Sequence, residues 1–171
     1  NGLVSAEEGV KSAWAQVENV YQRRMDLVPN LVETVKGYAS HERETLQGVV
    51  DARSKISQMN IGSDVVNDPA MLTKFQQMQG ELSSALSRLL VVVERYPDLM
   101  ASQNFLMLQT QLEGTENRIT VERRRFNEIA QKYNTMRRSL RNLIVANLLG
   151  FKEKAYFQAE AGAAKAPAVK F

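Results

Sequence analysis

The stretch AWAQVENVYQRRMDLVPNLVETVKGYASHE, residues 13–42, decides how the chain is laid out, because apolar residues recur at helical spacing on both sides of a single proline. Val10, Ala13, Trp14, Val17, Val20 and Tyr21 share one face of a helix expected over Ala6–Leu27, with Glu7, Glu8, Lys11, Glu18 and Arg23 turned elsewhere. Ser5 is placed to cap it. Pro29 has no N–H and its ring disfavours helical geometry at Val28, so a turn or a kink is expected over Asp26–Asn30, with a hairpin the preferred reading. A second helix would then carry Leu31, Val32, Val35, Ala39, Leu46, Val49, Val50 and Ile56, and fail in the loop from Asn60 to Asp64.

Outward from there the same spacing continues. Asp68-Pro69 reads as an N-cap followed by proline at the first helical position, opening a third helix on Leu72, Phe75, Met78, Leu82, Leu86, Leu89 and Val93. Tyr96-Pro97 ends it. A fourth helix from Asp98 carries Phe105, Leu108, Leu112, Ile119, Phe126, Ile129, Tyr133, Met136 and Leu140, and at 1.5 Å per residue would be about 60 Å long. Folding back at Pro97 sets Leu82 level with Leu112, Leu86 with Leu108 and Leu89 with Phe105. It also sets Gly80 opposite Gly114, each costing about 1 kcal/mol against alanine inside a helix. Close helix approach, or room for Trp14, would offset that cost. The fold expected is all-α, an antiparallel up-down-up-down bundle of four long helices. Residues 1–158 would form one domain and 159–171 a flexible tail.

The 171 residues, 44% of them apolar, are enough for one core. The 22 Lys/Arg against 19 Asp/Glu leave a net charge of +3, far from the dense basic surface of a nucleic-acid binder, so no nucleic-acid partner is expected. Twelve of the basic residues and only four acids fall in 118–171, making the last third the basic end. The absence of cysteine excludes disulfides and thiolate ligation. No apolar run reaches the roughly 18 residues of a membrane span. The chain opens on Asn-Gly-Leu-Val rather than methionine, which suggests the water-soluble part of something longer.

Residues 13–42 closely resemble the signature segment of the bacterial LemA family. RYPDLMASQNFLMLQTQLEGTENRI at 95–119, YNTMRRSL at 133–140, GFKEKAYF at 150–157 and the closing APAVKF are similar to that family in the same order. The chain departs at Ser139-Leu140, where the family commonly shows Phe-Pro. The resemblance implies an all-helical bundle carried on the cell membrane by a single N-terminal anchor, with no established biochemical activity. Asn1, Leu3 and Val4 fit the start of the family pattern just after that anchor.

Catalytic chemistry finds little support. A di-metal carboxylate bundle needs two Glu-x-x-His motifs, and the single histidine, His41, follows Tyr38 at that spacing. The same scarcity argues against zinc, and no Gly-x-Ser-x-Gly or phosphate-cradling glycine loop occurs. No catalytic residue, metal or cofactor is therefore expected, and His41 reads as an exposed helix residue beside Glu42 and Glu44. Two polar groups remain as candidate partner or ligand surface: Arg23, Arg24, Asp26 and Asn30 around the expected first turn, and Glu113, Thr115, Glu116, Asn117 and Arg118 interrupting an apolar stripe in mid-helix. For the first, Asp26 capping the second helix and pairing with the arginines is the plainer account. For the second it is a buried polar network fixing helix register.

The last candidate is membrane-proximal. Arg137, Arg138 and Arg141 precede the apolar residues Leu143, Ile144, Val145, Leu148, Leu149 and Phe151, and Lys152 and Lys154 follow. Basic residues around an apolar stretch suit an anionic membrane surface. The alternative is a cap folded back on the bundle end. Taken together, the sequence suggests a membrane-tethered, non-enzymatic bundle that presents its surface to a protein partner as a scaffold. The alternatives are a ligand-sensing domain using 113–118, or an enzyme completed by another protein.

Overall fold

The computed structural model describes residues 2–59 and 61–159; Asn1, Asn60 and the stretch 160–171, which holds the expected tail and the APAVKF match, lie outside them. The elements in chain order are α1 (Gly2–Tyr38), α2 (Arg43–Gln58), a 3-10 helix (Ser63–Asn67), α3 (Pro69–Val93), α4 (Pro97–Met100), α5 (Gln103–Arg138) and α6 (Leu140–Leu149). The fold is all-helical, with no strand among the described residues.

The hairpin expected at Asp26–Asn30 is not there. α1 runs unbroken through Pro29, and the chain reverses only at residues 39–42. A proline inside a helix removes the N–H that would bond the carbonyl four residues earlier. Here that carbonyl is Met25 O, and the Arg53 Nε on α2 donates to it at 3.1 Å. The freed acceptor is thus satisfied from outside the helix, which is how helices tolerate an internal proline. The consequences of the misplaced turn follow directly. Asp26 caps no helix and accepts from Gln22 Nε2 at 2.8 Å; Ser5 lies inside α1; His41 sits exposed in the turn rather than on a helix.

Elsewhere the local signals hold. The Asp68 carboxylate accepts from the N–H groups of Ala70 (3.0 Å) and Met71 (3.3 Å), with Pro69 at the first position of α3. The single long helix expected from Asp98 is divided, because the chain makes the short α4 and then restarts on a Ser102 cap, whose hydroxyl accepts from Phe105 N. α5 ends at Arg138. Ser139 is extended (φ −60°, ψ 139°), the backbone that a following proline would impose, although Leu140 stands there.

Residue numbers rise along α1 as they fall along α5: a Cβ on Gly2 would meet Met136, one on Gly9 would meet Ile129, Trp14 packs on Phe126 and Arg24 pairs with Glu116. The two helices are therefore antiparallel neighbours. Leu82, Leu86, Leu89, Phe105, Leu108 and Leu112 share one core cluster, as folding back at Pro97 requires. The glycine expectation fails. Gly80 is half-buried and Gly114 exposed, no atom beyond the helix's own adjacent backbone lies within 4 Å of a Cβ on either, and Trp14 belongs to the other core cluster.

The bond from Arg53 to Met25 O makes a double-mutant prediction. Arg53→Ala should destabilise the protein by about 1 kcal/mol more in the native background than in Pro29→Ala, where a restored N–H takes over the carbonyl. Equal costs in the two backgrounds, measured by urea unfolding, would remove Arg53 from that role.

Candidate functional site

The two polar groups read from the sequence meet through one pair, Arg24 and Glu116. Arg24 points inward and is 1% exposed, whereas Arg23, Asp26 and Asn30 lie exposed on the outer side of α1. Its Nη1 donates to Ser83 Oγ (2.6 Å) and Glu116 Oε1 (3.0 Å), and its Nη2 to the Gln79 carbonyl (2.9 Å) and Gln79 Oε1 (2.6 Å). One guanidinium thereby ties α1 to α3 and α5. Of the 113–118 run, Thr115 is buried and returns its hydroxyl to Gln111 O, Glu116 reaches Arg24, and Glu113, Asn117 and Arg118 stay exposed. A groove lined by Ser83, Leu86, Gln109, Glu113, Glu116 and Asn117 runs beside them. Its inward polar groups already hold Arg24, the register-fixing arrangement.

The second candidate, at the other end of α5, divides into two parts with different roles. α6 buries Ala146 and half-buries Asn142 and Leu143, while Ile144, Val145, Leu148 and Leu149 are 74%, 43%, 82% and 63% exposed. These four positions, spaced i, i+1, i+4 and i+5, form one outward apolar stripe. Exposed Val4 and Met136 belong to the same end of the α1–α5 pair. Arg138, Arg141 and Lys152 are exposed around it, and half-buried Arg137 donates to Phe151 O at 2.7 Å. Arg138 also pairs with Glu153.

Gly150, with φ 73°, ends α6 in the left-handed conformation and turns the chain back. Residues 151–158 then run extended over α5 and α3. Phe151 packs partly on the core and so belongs to the bundle rather than to the outward stripe. Lys154 overturns the membrane-facing expectation outright. It is 4% exposed, and its Nζ donates to Glu7 Oε1 (2.8 Å) and Asn67 Oδ1 (2.6 Å) 5.0 Å from the Tyr133 ring centre. A buried ammonium needs such partners to offset the loss of its hydration.

This strap is held chiefly by side-chain amides. Asn134 bonds both the N–H (2.8 Å) and the carbonyl (2.9 Å) of Lys154; Asn127 does the same for Phe157 (2.8 and 3.0 Å), and Gln76 for Gln158 (3.0 and 2.7 Å). Tyr133 donates to Lys152 O, and Ala155 N to Val66 O. The Phe157 ring enters a box of Trp14, Phe75 and Phe126, with centroids 6.0, 6.5 and 5.6 Å away. Sequence reasoning missed this seat. Its one available signal was the polar stripe Arg123, Asn127, Asn134 and Arg137, spaced 4, 7 and 3 along a single face of α5.

Among the described residues no group of three or more His, Asp or Glu comes together to hold a metal ion, and no helix is long and apolar enough to cross a membrane.

Two predictions follow from these contacts. Arg24→Ala leaves Gln79, Ser83 and Glu116 without their shared partner and should cost about 3–5 kcal/mol in urea unfolding. Glu116→Gln, at a side chain 40% exposed and still able to accept, should cost about 1 kcal/mol or less. The reverse order would show that Arg24 does not hold this layer together. Burial pushes the Tyr133 phenol up to about 12, with the Glu7 charge adding and Arg137 opposing. A phenol raised above its unfolded value of about 10 contributes stability that is intact below pH 10 and lost as pH rises towards 12. Between those limits stability should fall more steeply with pH in the native protein than in Tyr133→Phe; parallel curves would contradict it.

Protein LemA of Metamycoplasma hominis is 27% identical over 159 residues, covering 93% of this chain and 68% of that protein. Magnetosome protein MamQ of Magnetospirillum gryphiswaldense is 25% identical over 173 residues, and magnetosome protein MamQ 2 of Paramagnetospirillum magneticum 26% over 174; each match covers 92% of this chain and 64% of the relative. The chain thus spans about two thirds of the length of these relatives. With the LemA family model matching residues 13–171, which include Trp14, Arg24, the Asn127 and Asn134 clamps and the strap, this all-helical chain belongs to the LemA family.

Proposed function

We propose that this chain is a non-enzymatic, membrane-apposed scaffold, an antiparallel bundle of four long helices that rests its α6 end on an anionic lipid surface and presents its remaining helical faces to protein partners. The observation that carries the reading is the outward stripe Ile144, Val145, Leu148 and Leu149 with Arg138, Arg141 and Lys152 exposed around it. A helix in water that packs by Ala146 and turns its large aliphatic groups out leaves apolar surface uncovered. Embedding such a stripe at the headgroup boundary while basic side chains meet phosphates removes that cost. Glu7 and Gly2 of α1 approach Lys154 and Met136, so the start of α1 lies at this same end, where an N-terminal anchor of the kind the family resemblance implies would enter. The magnetosome naming of two relatives fits a membrane setting.

Co-sedimentation with vesicles tests the reading. The protein should bind vesicles containing phosphatidylserine, more weakly at high salt, and bind neutral phosphatidylcholine poorly. At about 1 kcal/mol per basic residue, replacing Arg138, Arg141 and Lys152 by glutamine should weaken binding about 100-fold, and Leu148→Asp with Leu149→Asp should abolish it. Lys154 is left intact because it is buried. No binding to anionic vesicles at low salt would refute this orientation.

A further inference from the structure

The seat of the strap is a complete recognition site for an extended segment, and its occupant follows α6, a helix joined to α5 through one residue. Along α5 the contacts run Arg123 with Gln158, Asn127 with Phe157, Asn134 with Lys154 and Arg137 with Phe151. At 1.5 Å per helical residue and about 3.3 Å per extended residue, the α5 span is about 21 Å and the strap span about 23 Å. Roughly two residues of α5 therefore pass for each strap residue, and the register closes only on an extended chain. Three carboxamides read its backbone, the aromatic box takes Phe157, and Glu7 with Asn67 takes Lys154. The seat selects an extended Lys-Ala-Tyr-Phe segment. Nothing in its chemistry depends on which copy of the chain delivers that segment.

This helix is joined to α5 through Ser139 alone, buries only Ala146 among 141–149, and is followed by Gly150 at φ 73°. Ser139 is extended at ψ 139°, but the residue after it, Leu140, is not a proline, so Ser139 can adopt helical angles. Rotating that single residue to ψ near −42° would merge α5 and α6 into one straight helix. The strap would then swing off its own seat and reach outward.

From this hinge and this seat we propose that the α3–α5 groove is an interaction surface for a second copy of the chain, which inserts its residues 151–158 in place of the resident strap. Exchange of an identical element gives each copy the contacts it had alone, so its equilibrium is set by chain concentration and by the hinge. This proposal goes beyond the membrane reading and does not require it.

The protein contains no cysteine, which makes the test direct. Gln77 and Gln158 are exposed and line one groove. One full-length preparation carries Gln77→Cys, a second carries Gln158→Cys, and the two are mixed over a range of concentrations and treated with a short bismaleimide. Exchange predicts a covalent dimer of the two different variants whose yield rises with concentration. The yield should drop at least tenfold when Leu140→Pro, which fixes Ser139 in its extended form, is present in the copy carrying Gln158→Cys. It should also drop when Asn127→Ala and Asn134→Ala are combined in the copy carrying Gln77→Cys. A single chain with both cysteines should cross-link within itself, reporting the resident strap. Cross-linking only within one chain at every concentration would overturn the proposal, as would a mixed dimer indifferent to Leu140→Pro and to the asparagine substitutions.

Discussion

A buried guanidinium sets the level at which the helices meet. Arg24 lies between two separate apolar clusters: Val10, Trp14, Val17 and Tyr21 precede it on α1, and Met25, Val28, Leu31 and Val32 follow. On α3 its partner Gln79 stands between Phe75 of one cluster and Leu82 of the other, and on α5 Thr115 and Glu116 stand between Leu112 and Ile119. The core is thus two apolar stacks separated by a polar layer. Apolar contacts tolerate sliding by a helical turn, because leucine replaces leucine; hydrogen bonds to one guanidinium do not. A slip of one turn would leave Arg24, already carrying a buried Nε without a partner, uncompensated among aliphatic side chains. The layer therefore converts a permissive apolar pattern into one register.

That register has consequences at the far end. With α1 and α5 pinned at Arg24 and Glu116, Trp14 falls beside Phe126 and Glu7 within reach of Lys154. The box for Phe157 takes Trp14 from α1, Phe75 from α3 and Phe126 from α5, the acid for Lys154 comes from α1, and the amides that read the strap come from α5 and α3. The seat exists only while all three helices keep the same level. Strap docking is therefore a readout of bundle register, and the extended strap in turn joins α5 to α3 across Gln76 and Asn127.

Legibility from the sequence followed the range of the interactions. The Asp68-Pro69 start and the fold-back at Pro97 are set by residues within a few positions of each other, and both were readable. Pro29 was misread because its effect on Met25 O is local but the compensation is not: Arg53 belongs to the next helix, and its role appears only once α2 is packed. Arg24 was visible only as one of the polar residues around the expected first turn and Glu116 as part of a polar interruption, with a buried network among the readings for the second, but no periodicity shows that two such residues will meet. Lys154 was misassigned for the same reason. Following Lys152 in a basic cluster beside an apolar run, it reads as a membrane-proximal residue; whether its side chain points out or in depends on an extended backbone whose alternation is fixed by Asn134.

The same alternation separates two readings of the C-terminal end that composition could not. Basic residues around an apolar run describe both a membrane contact and a cap on the bundle; the structure folds one part of the run back as a cap and leaves the other part, on α6, exposed. The strap supplies the cap: Ala155 and Phe157 are buried, and Phe151 packs on the same core. α6 supplies the exposed stripe, because its packing side is the small one. Ala146 allows the helix to lie against α5, and a helix seated by alanine necessarily turns the neighbouring positions Ile144, Val145, Leu148 and Leu149 outward. Four aliphatic side chains, each gaining about 1.5–3 kcal/mol on full burial, are a strong drive towards whatever apolar phase lies nearby. Docking the strap does not relieve it. The bundle closes its own end with residues 151–158 and still leaves α6 unsatisfied, so the surface that remains to be covered is specified by the fold and not by residual disorder in packing.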